Sequence, residues 1–109
     1  MSDELAAKSC VPCSGGVPAL KGAELQTLSS QLPAWEVVEE HHLRRIYSFP
    51  DFKSALARVN AIGEVAEAEG HHPDVSFTWG RVTVEVFTHA IDGLTESDFV
   101  LAAKIERLT

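Results

Sequence analysis

At 109 residues, with 45% hydrophobic and 23% charged residues, the chain has room for one globular domain and lacks the low hydrophobicity that marks disorder. Sixteen Asp and Glu against nine Lys and Arg give a formal charge of −7. Apart from Arg44-Arg45 the cations are scattered singly, so the counterion release that drives nucleic-acid or anionic-membrane binding has no source.

No apolar run approaches the ~20 residues needed to span a bilayer. The start, Met1-Ser2-Asp3-Glu4, is acidic where a signal peptide is basic, so a cytoplasmic location without membrane attachment is expected. Residues 1–20 are rich in Ser, Gly, Pro and small side chains and show no sustained period, which predicts an N-terminal arm ahead of a single domain over residues 21–109. The arm carries Cys10-x-x-Cys13. Two thiols in a reducing compartment are no disulfide framework. A lone pair is half a zinc site, and the motif does not follow a strand and open a helix as a thioredoxin-like site requires.

Leu25, Leu28 and Leu32 recur at helical spacing and Pro33 marks a stop, predicting a first helix over 22–32. Trp35 to Glu40 and Leu43 to Phe49 alternate and hold Trp, Val, Ile and Tyr, predicting a hairpin with His41 and His42 as exposed turn residues. Pro50-Asp51 then opens the longest helix, whose apolar stripe is Phe52, Ala55, Leu56, Val59, Ile62, Gly63 and Ala66, with Gly70 as its stop. Val75 to Trp79 and Arg81 to His89 predict a second hairpin turning at Gly80, with Val82, Val84 and Val86 on one face. Thr95-x-x-Asp98 resembles a capping box and opens a terminal helix carrying Phe99, Ala102, Ile105 and Leu108. The order α-β-β-α-β-β-α predicts an α+β fold, a four-stranded antiparallel sheet with its helices on one face.

Three of the five histidines fall where elements end: His71-His72 past the long helix and His89 at the end of the last strand. Ends of elements build clefts. A histidine near a helix C-terminus feels the negative end of the backbone dipole, which favours imidazolium, and histidine is the side chain suited to general acid work near neutral pH. For an isolated His-His pair the exposed-loop reading is the commoner one. Glu67 lies four residues before His71, the spacing that places two side chains on one helical face, so it is read either as orienting His71 or as a solvated surface residue. Asp98 is read as a cap of the terminal helix and a support for His89. For Trp35 and Trp79, core is the commoner fate of a strand tryptophan, with ring stacking on a ligand as the other reading. Nitrogen and oxygen ligands for a metal could come from His71, His72, His89 and Asp98 or Glu67. Adjacent histidines rarely point at one ion, so no metal site is expected.

The segment Glu67-Ala68-Glu69-Gly70-His71-His72-Pro73, followed by Trp79, Thr88-His89 and Asp98, resembles the signature of the pterin-4a-carbinolamine dehydratases. That pattern runs acid, three residues, His-His-Pro, an aromatic six residues on, a histidine ten further, then an aspartate. Leu32-Pro33-Ala34-Trp35, Phe49-Pro50-Asp51-Phe52 and Gly93-Leu94-Thr95-x-x-Asp98 look like further family landmarks, so the resemblance covers about residues 20 to 109. The Cys-Val-Pro-Cys and Gly-Gly-Val-Pro lead-in is similar to that of bacterial-type members. Gly70 and Ser97 depart from members that carry an acid and an arginine there.

The resemblance implies a hydro-lyase that dehydrates 4a-hydroxytetrahydropterin to quinonoid dihydropterin and water, in the recycling of the pterin used by aromatic amino-acid hydroxylases. Catalysis would be by His71, His72 and His89, with His71 and His89 as acid and base partners and His72 binding the ring or handling the second proton. Glu67, Gly70, Pro73, Phe87, Thr88, Ala90, Asp98 and Trp35 would be supporting or substrate-binding residues, with Phe87 and Thr88 as cleft wall. No cofactor is implied. The family also implies homodimers joined edge to edge and homotetramers formed through helices, and the other role seen in its fold is that of a non-catalytic dimerisation or assembly module.

Overall fold

The structure is a computed structural model and describes residues 5–8 and 18–108. Cys10 and Cys13 lie outside the described residues. The elements are α1 (Gly22–Ser29), β1 (Glu36–Val38), β2 (His42–Ser48), α2 (Phe52–Glu69), β3 (Asp74–Thr78), β4 (Arg81–Val86), a 3-10 turn (His89–Ile91) and α3 (Glu96–Glu106). The α-β-β-α-β-β-α order and the α+β class are as the sequence predicts. The four strands form one antiparallel sheet in the order β1-β2-β4-β3.

Register follows from the alternation of side chains. Leu43 pairs with Val86 and Tyr47 with Val82, while Val75 and Phe77 pair with Val84 and Val82, placing the apolar positions on one face. That face packs under the helices around Leu43, Tyr47, Val82, Val84, Val86, Phe99, Leu101 and Ile105, all buried. Across the opposite face Glu36, Arg44, Glu85 and Asp74 form a polar row through the same pairings.

α2 begins on Asp51, whose carboxylate accepts from the Ser54 amide at 2.7 Å. It ends on Gly70 in the left-handed region, φ 65, a conformation that costs glycine little because it has no Cβ. The Gly70 amide reaches the Glu67 carbonyl and the His71 amide the Ala66 carbonyl, the paired bonds of a Schellman motif. Only part of the expected stripe on α2 is covered. Ala55, Ile62 and Ala66 are buried, but Phe52 is 48% exposed and Leu56 is also exposed. The physical reason is position: Phe52 packs on Phe77 of the edge strand β3, and among the described residues no strand lies beyond that edge to cover either ring.

Three boundaries differ from expectation. α1 stops at Ser29 because the next residues close single turns, Leu32 to Ser29 and Trp35 to Leu32, ahead of and across Pro33, which disfavours helix at the residue before it. β4 ends at Val86 and not at His89, since neither neighbour extends further: β2 has its last partner at Leu43 and β3 at Asp74. The backbone then bonds to itself, with the Thr88 amide on the Gly93 carbonyl at 2.8 Å, and His89 opens a 3-10 turn. Lastly, parts of the expected arm are docked. Leu5 is buried, Lys104 donates to the Ala6 carbonyl at 2.8 Å, and Lys8 pairs with Glu96. A Cβ on Gly93 would lie 2.7 Å from that of Ala19, so glycine at 93 is what lets residues 18–20 reach the loop before α3.

Candidate active site

His71, His72 and His89 lie where α2 and β4 end, and a buried carboxylate holds the first of them. Asp98 sits at the third position of α3 and is fully buried. Its Oδ2 accepts from the Thr95 amide at 2.8 Å and the Thr88 hydroxyl at 2.9 Å, and its Oδ1 lies 2.6 Å from His71 Nε2. The bond to the Thr95 amide is the capping box read from the sequence. A buried carboxylate requires such donors, because leaving it unpaired would cost several kcal/mol.

Asp98 therefore supports His71, and not His89 as expected. Thr88 links Asp98 to the turn that carries His89, since the two residues are adjacent. Instead of lining a cleft, Thr88 is buried and braces that turn. Carboxylate oxygens only accept, so His71 Nε2 carries its proton and Nδ1 is left as the nitrogen able to exchange one.

Glu67 bonds to His72 Nε2 and not to His71. The i, i+4 argument fails here because Gly70 breaks the helical screw: beyond a left-handed residue, positions four apart no longer share a face. His72, which had no partner in the sequence reading, thus has one, and both members of the pair are well exposed. His89 Nε2 lies 4.0 Å from Asp74 Oδ1, beyond hydrogen-bond reach, and its side chain is 61% exposed. Asp74 follows His72-Pro73 directly, so His89 stands close to the end of the same loop.

The remaining expected site residues separate into two groups. Phe87 touches the His89 ring at a centroid distance of 4.2 Å, Ala90 lies exposed within the turn, Pro73 is half-buried between His72 and Asp74, and Gly70 sets the exit from α2. Trp35 is core and not site wall: it is buried, and its Nε1 donates to Glu106 at 2.9 Å, at the opposite end of α3 from Asp98. Trp79 is neither buried nor near these residues in the chain; it sits on the β3–β4 turn, 64% exposed. Among the described residues no three His, Cys, Asp or Glu side chains are grouped to hold one metal ion.

His41 and His42 are the residues the sequence reading missed. They are half-buried and not exposed. His41 packs on Phe87 at 4.5 Å and its Nε2 lies 2.7 Å from Asp92 Oδ1. The pairing of Leu43 with Val86 puts position 42 opposite 87, a consequence of register that local spacing does not reveal.

The site thus consists of one carboxylate-held, mostly buried histidine and two more exposed ones on a small α+β domain. The model of the family described as pterin 4 alpha carbinolamine dehydratase matches residues 18–108. A Rubrobacter xylanophilus protein, provisionally named as a pterin-4-alpha-carbinolamine dehydratase, is 65% identical over 105 residues, 96% of this chain and 98% of its own. One from Alkaliphilus metalliredigens with the same provisional name is 51% identical over 96% of each. The crystal structure of a transcriptional coactivator/pterin dehydratase from Brucella melitensis superposes with a TM-score of 0.77 at 28% identity, covering 83% of this chain and 97% of that one. A pterin dehydratase-like RuBisCO assembly factor of the alpha-carboxysome shares the fold at a TM-score of 0.59 and 19% identity, over 69% of this chain and 88% of its own. The chain belongs to the pterin 4 alpha carbinolamine dehydratase family.

Proposed function

We propose that this protein is a hydro-lyase that dehydrates 4a-hydroxytetrahydropterin to quinonoid dihydropterin and water. The observation that carries this reading is the His71–Asp98 bond, which fixes one imidazole by its Nε2 and leaves its Nδ1 for proton exchange. In the reaction the lone pair of pterin N5 forms a double bond to C4a as the C4a–O bond breaks. The leaving oxygen takes a proton from one imidazolium and departs as water, while a second imidazole accepts the proton lost from the pterin. Protons balance over the cycle. His71 and His89 fill the acid and base roles, and His72, held by Glu67, binds the ring or relays the second proton. Hydroxide is a poor leaving group, so positioned acid catalysis supplies about 10²- to 10⁴-fold.

The substrate source would be an aromatic amino-acid hydroxylase, making the step one of pterin recycling. A homo-oligomer completes the proposal. Every residue of the edge strand β3 is exposed, and Val75, Phe77, Phe52, Leu56 and Trp79 form an apolar strip beside it, the kind of edge that pairing covers. That strip also favours the second reading, a non-catalytic dimerisation or assembly module.

Stopped-flow ultraviolet absorbance on chemically generated 4a-hydroxytetrahydropterin separates the two. Wild type should speed dehydration well above buffer, and His71→Ala, His72→Ala and His89→Ala should each slow it. A wild type no faster than buffer sinks the enzyme reading and leaves the module; full rate in all three variants removes the site assignment.

A further inference from the structure

We propose that His41 is a positioning residue for His89, acting through Asp92 and Phe87, an inference that rests on the reading of His89 as catalytic. Three non-glycine residues among those described have positive φ: Glu39 at 52, Glu40 at 54 and Asp92 at 51. Such conformations are unfavourable for residues with a Cβ and persist where the surroundings hold them. All three converge on one contact.

Glu39 and Glu40 are the central residues of the β1–β2 turn, closed by the His41 amide on the Val38 carbonyl at 2.9 Å. Positive φ at both central positions marks a type I′ turn, whose twist suits a tight hairpin. Immediately after it stands His41, with its ring against Phe87 and its Nε2 on Asp92 Oδ1. Asp92 in turn closes the 3-10 turn, its amide donating to the His89 carbonyl at 3.2 Å. Phe87 touches both rings, that of His41 and that of His89. One side chain on a neighbouring hairpin thus meets the His89 turn at two points.

Asp92 accepts, so His41 carries a proton on Nε2, and its Nδ1 lies 3.1 Å from His42 Nδ1, one nitrogen donating to the other. His42 Nε2 is 3.4 Å from Glu85 Oε2. The chain His42 to His41 to Asp92 orients the His41 ring, which could otherwise flip. Because the Asp92 side chain is 84% exposed, the bond to it biases the turn by roughly fivefold at most. The expected effect is therefore several-fold and not the orders of magnitude due to loss of a proton donor.

The test compares wild type with His41→Phe, which keeps a ring against Phe87 but cannot donate, and His41→Gln, whose amide can reach Asp92. The expected result is a two- to fivefold fall in kcat for His41→Phe with KM within twofold, and recovery of most of it in His41→Gln. Amide and imidazole NMR of His89, Ala90 and Asp92 gives a readout that needs no turnover. Those signals should shift or broaden in His41→Phe and return in His41→Gln. Unchanged kcat with unchanged His89 signals overturns the proposal, as does an equal loss in both variants. Should wild type show no dehydratase activity, the NMR comparison alone decides the clamp, and the function fails separately.

Discussion

The two ends of α3 each carry a carboxylate that gathers hydrogen-bond donors, and they serve different purposes. At the N-terminal end Asp98 holds Thr95, Thr88 and His71. At the C-terminal end Glu106 accepts from Trp35 at 2.9 Å, Tyr47 at 2.8 Å and Arg45 at 3.1 Å. Arg45 also lies over the Tyr47 ring. Both clusters tie helix to sheet. Only the first includes a side chain with a free choice between donor and acceptor at its far nitrogen, and that histidine is partly open to solvent. The Glu106 donors, an indole, a phenol and a guanidinium, do not exchange protons near neutral pH. On the proposed function, the same device serves a site at one end and a staple at the other through the identity of one donor.

The sharpest way to break this contrast is Asp98→Ala, which should lower kcat/KM by at least ~10²-fold through loss of the oriented acid. It should also cost about 3 kcal/mol in urea unfolding by orphaning buried donors. His71→Ala should lose activity in the same ~10²- to 10⁴-fold range with a clearly smaller stability change; comparable destabilisation would make His71 a structural residue. Glu106→Ala should show the converse. A loss of about 1–3 kcal/mol is expected, with turnover of the folded protein at 25 °C within about twofold, and a large fall in kcat there would merge the two clusters into one.

Acid and alkali sharpen the comparison further. For Glu106, burial acts to raise the carboxyl pKa, but bonds from Arg45, Tyr47 and Trp35 outweigh it and hold the value below the ordinary 4.5. Its stabilisation is thus full above that value and lost as pH falls through the lower folded one. Burial first, and then Glu106, holds the Tyr47 phenol well above its ordinary 10.0, so its contribution is full below pH 10 and declines above it. Urea midpoints measured against pH should show both limbs, and Glu106→Gln should flatten the acid one. The smallest effect is expected from Glu67→Gln. The exposed pair with His72 contributes under about 1 kcal/mol, so dehydration should slow by no more than a few-fold while the urea midpoint stays put.

Much of this molecule was legible in advance. Alternation through Val82, Val84 and Val86, the Asp51 start and Gly70 stop of α2, and the Thr95-x-x-Asp98 cap are local patterns, and each appears where expected. What failed were the partner assignments across elements. Of the two readings of Glu67 it is the exposed one that fits, with its bond going to His72 and not His71. Asp98 caps α3 as expected but meets His71 and not His89. These shifts follow from the left-handed turn at Gly70 and the early end of β4. His41 and Asp92 lie 51 positions apart and meet only because β2 and β4 are neighbours.

The sequence by itself determined the order of elements, the face that β4 buries, and the caps of the long and last helices. These depend on backbone conformation and apolar periodicity, which are set within a few residues. Tertiary structure alone decided which carboxylate each histidine meets and that residues 5–8 pack against α3. Those choices depend on strand register and on where neighbouring strands end, and both are set by the collective fit of the sheet against its helices.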